Sequence, residues 1–273
     1  MSKVLFIGKG IITTSLGKHL DSCAWKVSHH HREEGNLNTC DLSLYDYVVS
    51  CLPDAETAKT VWDDILISAV ASKAHKTVFI EISTLTCETI KNINADFCRE
   101  HFTFIEAPFT GSKTGALNGS LIYFAASDIA SPEHDVFLKS TSSKIYNFQN
   151  IGTPTQFKLF YNLWGLTSLG LMGQMLQIMR SLPQAELISE ILTSHEGFWM
   201  NTIARQKLHQ SLSQQYDDVH CKLKYATKDI RYALDEFRDY NLDLSKHLLS
   251  LLEKDGAQHY NDLDFTSMCE LFR

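Results

Sequence analysis

Short β-prone runs alternate with longer stretches of helical periodicity through the first half of the chain. Residues 4–7 form an apolar run ending at Gly8, and a helix fits residues 11–19. Residues 25–30 and 47–50 repeat the strand signal. Over residues 56–71, Ala58, Val61, Trp62, Ile65 and Leu66 fall on one helical face. A strand at 77–82, a helix at 88–100 and a strand at 102–109 follow. This alternation predicts βαβ units, and so a mostly parallel sheet with helices on both faces. Two further β-rich runs, 121–126 and 144–148, read as additions to the sheet edge, with antiparallel pairing left open.

Beyond Thr155 the strand signals vanish and helices dominate. At the switch, Thr153 reads as a helix cap, Pro154 suits a first turn and Gln156 completes a capping-box pattern. The expected organisation is therefore an α/β domain over 1–151 and an all-helical domain over 152–273.

Composition changes this picture little. Of 273 residues, 44% are hydrophobic and 21% charged, ordinary values for a globular protein with a real core. A net charge of −7 argues against a nucleic-acid partner, which requires a basic face. It leaves open a small anionic substrate met by a few local cations. Seven scattered cysteines with no CxxC pair point to reduced thiols and a cytoplasmic location. The apolar stretch 159–179 carries Asn162, Gln174 and Gln177, so it reads as a buried helix rather than a membrane span.

The first chemical motif is Gly8-Lys9-Gly10-Ile11-Ile12-Thr13, between a predicted strand and a predicted helix. Gly8 permits a tight turn, Gly10 lets the backbone approach a pyrophosphate, and the helix start, with Ile11 and Ile12, offers N–H groups to the anion. Thr13 stands at the position of a third glycine, which would loosen helix–strand packing. The second strand runs into His29-His30-His31-Arg32 with no carboxylate at its end. Arg32 there favours the 2′-phosphate of NADP, whereas Glu33 or Glu34 would instead hold the ribose of NAD. Adjacent strand residues point to opposite faces, so the three histidines cannot converge and no metal site is expected.

With these features, five further stretches resemble the β-hydroxyacid dehydrogenase family, which includes 3-hydroxyisobutyrate dehydrogenase and glyoxylate/succinic semialdehyde reductases. Cys51-Leu52-Pro53-Asp54 resembles the family's loop after the fourth strand of its Rossmann domain, in a chain that is shorter upstream. Glu81-Ile82-Ser83-Thr84 resembles the loop near the nicotinamide, with Cys87 where the family has proline. The run from Glu106-Ala107-Pro108-Phe109-Thr110-Gly111-Ser112 to Gly119-Ser120-Leu121 is similar to the substrate loop, with Thr110 for serine and Ser112 for glycine. The segment from Gly152 through Lys158 to Asn162 resembles the family's lysine–asparagine helix, and Lys228-Asp229-Ile230 its KD(L/I) motif.

The resemblance implies a Rossmann domain, then a helical domain, and hydride transfer between a nicotinamide cofactor and a small carboxylate-bearing substrate. It makes Lys158 the general acid/base and Asn162 its partner. Thr110, Gly111, Ser112 and Lys228 would bind substrate. Gly8, Gly10, Ile11, Ile12, Arg32, Leu52, Pro53, Ser83 and Thr84 would bind NADP, or NAD. A lysine proton donor with an ordinary pKa of about 10.4 needs tuning downward for this work. Tyr161 and the short helical domain argue against 6-phosphogluconate chemistry, and Lys158 argues against imine reduction. His195, Glu196, Phe198 and Trp199 are candidates for shaping specificity. The departures at Thr13, Cys87, Ser112 and Pro154 keep open an alternative, a non-catalytic NADP(H)-binding sensor or scaffold. The first long helix is apolar around most of its circumference, so one face is expected on its own domain and another on a second copy, making a homodimer.

Overall fold

A computed structural model describes residues 1–31, 35, 37–194 and 204–272. Arg32, Glu33 and Glu34, and His195, Glu196, Phe198 and Trp199, lie outside the described residues. The chain divides into two compact units, Met1–Lys158 and Leu159–Arg273.

The first unit carries β1 (Lys3–Ile7), α1 (Ile11–Ser22), β2 (Lys26–His30), β3 (Tyr47–Ser50), α2 (Ala55–Ser72), β4 (Val78–Glu81), α3 (Cys87–Arg99) and β5 (Thr103–Glu106). It continues with β6 (Phe109–Thr110), α4 (Ser112–Leu117), β7 (Leu121–Ala125), α5 (Val136–Ser140) and β8 (Ser142–Asn147). Strands β1 to β5 form a parallel five-stranded sheet in the order β2-β1-β3-β4-β5. This is the Rossmann-type arrangement, with the order reversing at β1. Among the described residues no strand lies outside β2, and single 3-10 turns at Leu37–Thr39 and Leu42–Leu44 connect β2 to β3. That accounts for the short upstream segment.

Side-chain alternation divides β1 between two cores. Leu5 and Ile7 join Val48, Trp62, Phe79, Phe97 and Phe104 beneath α2 and α3. Val4 and Phe6 join Leu16, Leu20, Val49, Ile80 and Ile105 on the α1 side. The late β-rich runs do not extend the first sheet as expected. They form a second sheet, β6-β7-β8, in which β6 pairs antiparallel and β8 parallel with β7. One antiparallel bridge, Glu106 to Ala126, links the end of β5 to the end of β7. The physical reason is the break at Ala107-Pro108: proline has no N–H to donate, so a strand cannot run straight through it. Leu121, Tyr123 and Ala125 of β7 complete the α1-side core.

Helix α6 (Thr153–Ser181) begins in the first unit and continues through the second. The second unit adds α7 (Ala185–Ser194), a π-helical turn at Ala204–Leu208 leading into α8 (His209–Ser213), α9 (Leu223–Glu236), α10 (Asp243–Leu252) and a closing 3-10 segment (Phe265–Phe272). Along α6, Leu166, Leu169, Leu176 and Met179 are buried, while Trp164, Leu171, Met175 and Ile178 are exposed. No described helix is long and apolar enough to cross a membrane.

Candidate active site

The turn after β1 is tightly constrained. Gly8 has φ +97°, and a Cβ placed there would stand 2.8 Å from the Cys51 carbonyl oxygen. Only glycine lets the β1 and β3 loops approach so closely. Thr13 proves to be a fastening rather than a loss. Its buried hydroxyl donates to the Gly8 carbonyl at 2.9 Å and accepts the Gly10 N–H at 3.0 Å, so it ties the turn to the helix. The close helix–strand contact expected of a third glycine occurs one turn later, at Gly17, where a Cβ would meet the His29 ring at 2.9 Å. A glycine search fixed to one spacing overlooks this shift. The N–H groups of Ile11 and Ile12 open α1 and have no intrahelical acceptor, which suits a pyrophosphate.

Two buried glutamates end the adjacent strands β4 and β5, and they face each other in register. Glu81 accepts from Trp62 Nε1 at 2.6 Å and from the Ser83 N–H at 2.6 Å. Burial pushes its carboxyl pKa up, against the pull of the Ser83 and Trp62 hydrogen bonds. The Ser83 hydroxyl in turn accepts the Leu52 N–H at 2.7 Å. The two loops assigned to the cofactor, at Leu52-Pro53 and Ser83-Thr84, are thus fastened together. Asp54 then caps α2 through the Thr57 N–H.

Glu106 performs the corresponding task for α6. Its carboxylate accepts the Gly152 N–H at 2.6 Å and the Thr155 N–H at 2.7 Å. The cap expected from Thr153 and Gln156 is therefore not the one used. The helix starts a residue earlier than that cap requires, and its buried first turn receives both acceptors from one carboxylate of a neighbouring strand. Lys158, three residues beyond Thr155, is 9% exposed.

The loop after β5 brings Thr110, at the end of β6, to Gly111 and Ser112 at the start of α4. Gly111 has φ +124° and Ser112 φ +53°. The serine keeps a left-handed backbone that glycine adopts at less cost. In the second unit, Asn162 donates to Asp229 Oδ2 at 2.6 Å, and Lys228 Nζ lies 3.0 Å from Asp229 Oδ1. Burial disfavours the charged Lys228, but the adjacent Asp229 outweighs it and holds the lysine pKa above its ordinary value. Asp229 thus joins Asn162 to Lys228. The sequence contained it within a motif without showing that role, since the two partners lie far apart along the chain. Among the described residues no group of three or more His, Cys, Asp or Glu side chains converges as a metal site.

A family model for the NAD binding domain of 6-phosphogluconate dehydrogenase matches residues 26–149, spanning the Leu52, Ser83 and Thr110 loops. Glyoxylate/succinic semialdehyde reductase 1 of Arabidopsis thaliana is 24% identical over 295 residues, covering 98% of this chain and 97% of its own. These matches make the chain similar to the β-hydroxyacid dehydrogenase family. The fold agrees. A 3-hydroxyisobutyrate dehydrogenase from Salmonella typhimurium superposes with a TM-score of 0.81 at 15% identity, with 100% of each chain covered. A structure described as Psf3 in complex with NADP+ and 2-OPP gives 0.82 at 17% identity, covering 98% of each chain. β-Hydroxyacid dehydrogenases of this type are NAD(P)-dependent oxidoreductases of hydroxy acids and semialdehydes.

Proposed function

We propose that this chain is a β-hydroxyacid dehydrogenase that uses NADP(H) to interconvert a small hydroxy acid and its semialdehyde or keto acid, with Lys158 moving the proton. The observation that carries the reading is the placement of Lys158. It lies buried in the second turn of a helix whose first turn is fixed to the strand leading into the Thr110-Gly111-Ser112 loop.

The residues fit a dinucleotide. Gly8 leaves no room for a side chain against Cys51, and the start of α1 presents the Ile11 and Ile12 N–H groups to a diphosphate. Leu52, Pro53, Ser83 and Thr84 would flank its nicotinamide half. When bound, the nicotinamide supplies or accepts the hydride. The rest of the work belongs to this chain. Thr110, Gly111 and Ser112 bind the substrate carboxylate through hydroxyl and backbone N–H groups. Lys228 adds a buried positive charge. Lys158 gives a proton to the forming alkoxide in reduction and removes it in oxidation. Asn162, oriented by Asp229, directs its amide oxygen toward an ammonium or hydroxyl group. The preference for NADP is supported by the absence of a carboxylate at the described end of β2 and by the structural neighbour in complex with NADP+.

The reading includes a homodimer. Trp164, Leu171, Met175 and Ile178 recur at intervals of seven, four and three residues along the exposed side of α6, and Trp164 is 68% exposed. A self-complementary row of this kind suits a second copy. Seven free thiols suit a reducing compartment.

The test begins with titration of NADPH and NADH, followed by fluorescence transfer from tryptophan. Turnover of glyoxylate, succinic semialdehyde and related acids is then compared between the native chain and Lys158→Ala. Tighter NADPH binding and a roughly 10²- to 10⁴-fold loss of turnover in the variant are expected. Cofactor binding with no turnover of any such acid would favour the sensor reading. Full activity of Lys158→Ala would remove the lysine from the mechanism.

A further inference from the structure

Strand β5 ends in a carboxylate with no direct part in the proposed chemistry. Glu106 is 0% exposed, and its two oxygens take up Gly152 N–H at 2.6 Å and Thr155 N–H at 2.7 Å. Burial of a carboxylate is costly, and here it pushes the pKa up to about 6 despite the Thr155 and Gly152 hydrogen bonds and the positive charge of Lys91. If α6 needed only a cap, a neutral hydroxyl at its own start would suffice, and Thr153 is at hand. What the glutamate adds is a cross-chain link. The residues following it are Ala107-Pro108-Phe109-Thr110-Gly111-Ser112, the loop assigned to substrate, and the residue one turn beyond Thr155 is Lys158. The same helix start is held from a second direction, since Cys87 Sγ at the start of α3 donates to the Gly152 carbonyl at 3.5 Å.

We propose that Glu106 is a positioning residue, which through its bonds to Gly152 and Thr155 sets the distance between Lys158 and the substrate loop. The proposal rests on Lys158 as the proton-transfer group. Both arms of the site hang from one side chain, the loop through the backbone of β5 and the lysine through the first turn of α6. A displacement of about 1 Å at such a joint costs on the order of 10²-fold in rate while leaving affinity nearly unchanged.

Glu106→Gln keeps the volume but offers one acceptor to two donors, turning its amide N–H₂ toward a backbone N–H. Steady-state kinetics of this variant should show kcat lowered by roughly 10- to 100-fold, with KM and the NADPH dissociation constant within about threefold of native. Glu106→Asp retains the ionised carboxylate and should fall between the two. Far-UV circular dichroism checks that each is folded. The proposal is overturned if folded Glu106→Gln keeps kcat within about threefold of native, or if KM alone changes. It is also overturned if Glu106→Asp is no better than Glu106→Gln. Should Glu106→Gln not fold, the kcat and KM of Glu106→Asp decide alone: a lowered kcat at constant KM supports the proposal and a native kcat refutes it. Lys158→Ala run in parallel separates the premises. If that variant is fully active, the lysine reading fails; if it is inactive while Glu106→Gln is normal, only the positioning role fails.

Discussion

Replacing Asp229 by asparagine tests the polar group in the helical unit. Asp229 is 7% exposed, with one oxygen 3.0 Å from Lys228 Nζ and the other accepting from Asn162 at 2.6 Å. Asparagine keeps the shape and can still accept from Asn162. It removes the charge that holds the Lys228 ammonium in place. The Lys228 side chain is 13% exposed, so water replaces that charge poorly. Breaking a buried pair from one side costs about 3–5 kcal/mol. An independent bound comes from the alternative open to the lysine, which is to lose its proton. Neutralising an amine of pKa about 10.4 at pH 7 costs about 4.6 kcal/mol, so the penalty cannot exceed that figure. The expected loss is therefore about 2–4 kcal/mol, measured by urea unfolding at pH 7.

The sign with pH follows from the raised Lys228 pKa. The stabilisation is present below the unfolded value and is lost as pH rises through the folded one. The difference between native and Asp229→Asn should thus narrow only as pH rises beyond about 10.4. Adding Lys228→Met to Asp229→Asn removes the stranded charge and should restore most of the stability, although not the activity. A loss below about 1 kcal/mol for Asp229→Asn, or no recovery in the double variant, would refute the argument that a buried charge pair organises this group.

Gly8→Ala should lower stability by about 2–4 kcal/mol and weaken NADPH binding at least tenfold, because it combines a left-handed φ with a methyl group against the Cys51 carbonyl. Urea unfolding and cofactor titration check it. Between pH 4.5 and 6, Glu106 keeps in the folded chain a proton that the unfolded chain has released, so its contribution makes stability fall as pH rises, by about 2 kcal/mol across the window. Glu106→Gln should remove that part of the slope, while Glu81, shifted the same way, leaves its own. Ile178→Glu, at a position 54% exposed, should leave unfolding stability within about 0.5 kcal/mol but halve the mass seen by light scattering; a native mass near the 31.0 kDa of one chain would refute the dimer.

Much of the architecture was legible in the sequence because its causes are local. The alternation on β1 between two cores, the stop at Gly8 and the helix over α2 follow from the period of apolar residues and from glycine's backbone freedom. The Lys158–Asn162 spacing places both on one helical face whatever surrounds them. The tertiary structure decided what depends on partners distant in sequence. Thr13 repairs the turn whose glycine it replaces, and Gly17 takes over the close contact. The late strands make their own sheet after Pro108. Asp229 joins its neighbour Lys228 to Asn162, 67 residues away along the chain. Above all, Glu106 caps a helix 46 residues away in place of the local Thr153. Periodicity specifies which face of an element is buried. Which carboxylate meets which N–H depends on how the elements come together, because the favourable energy of such a bond exists only where both groups have already left water.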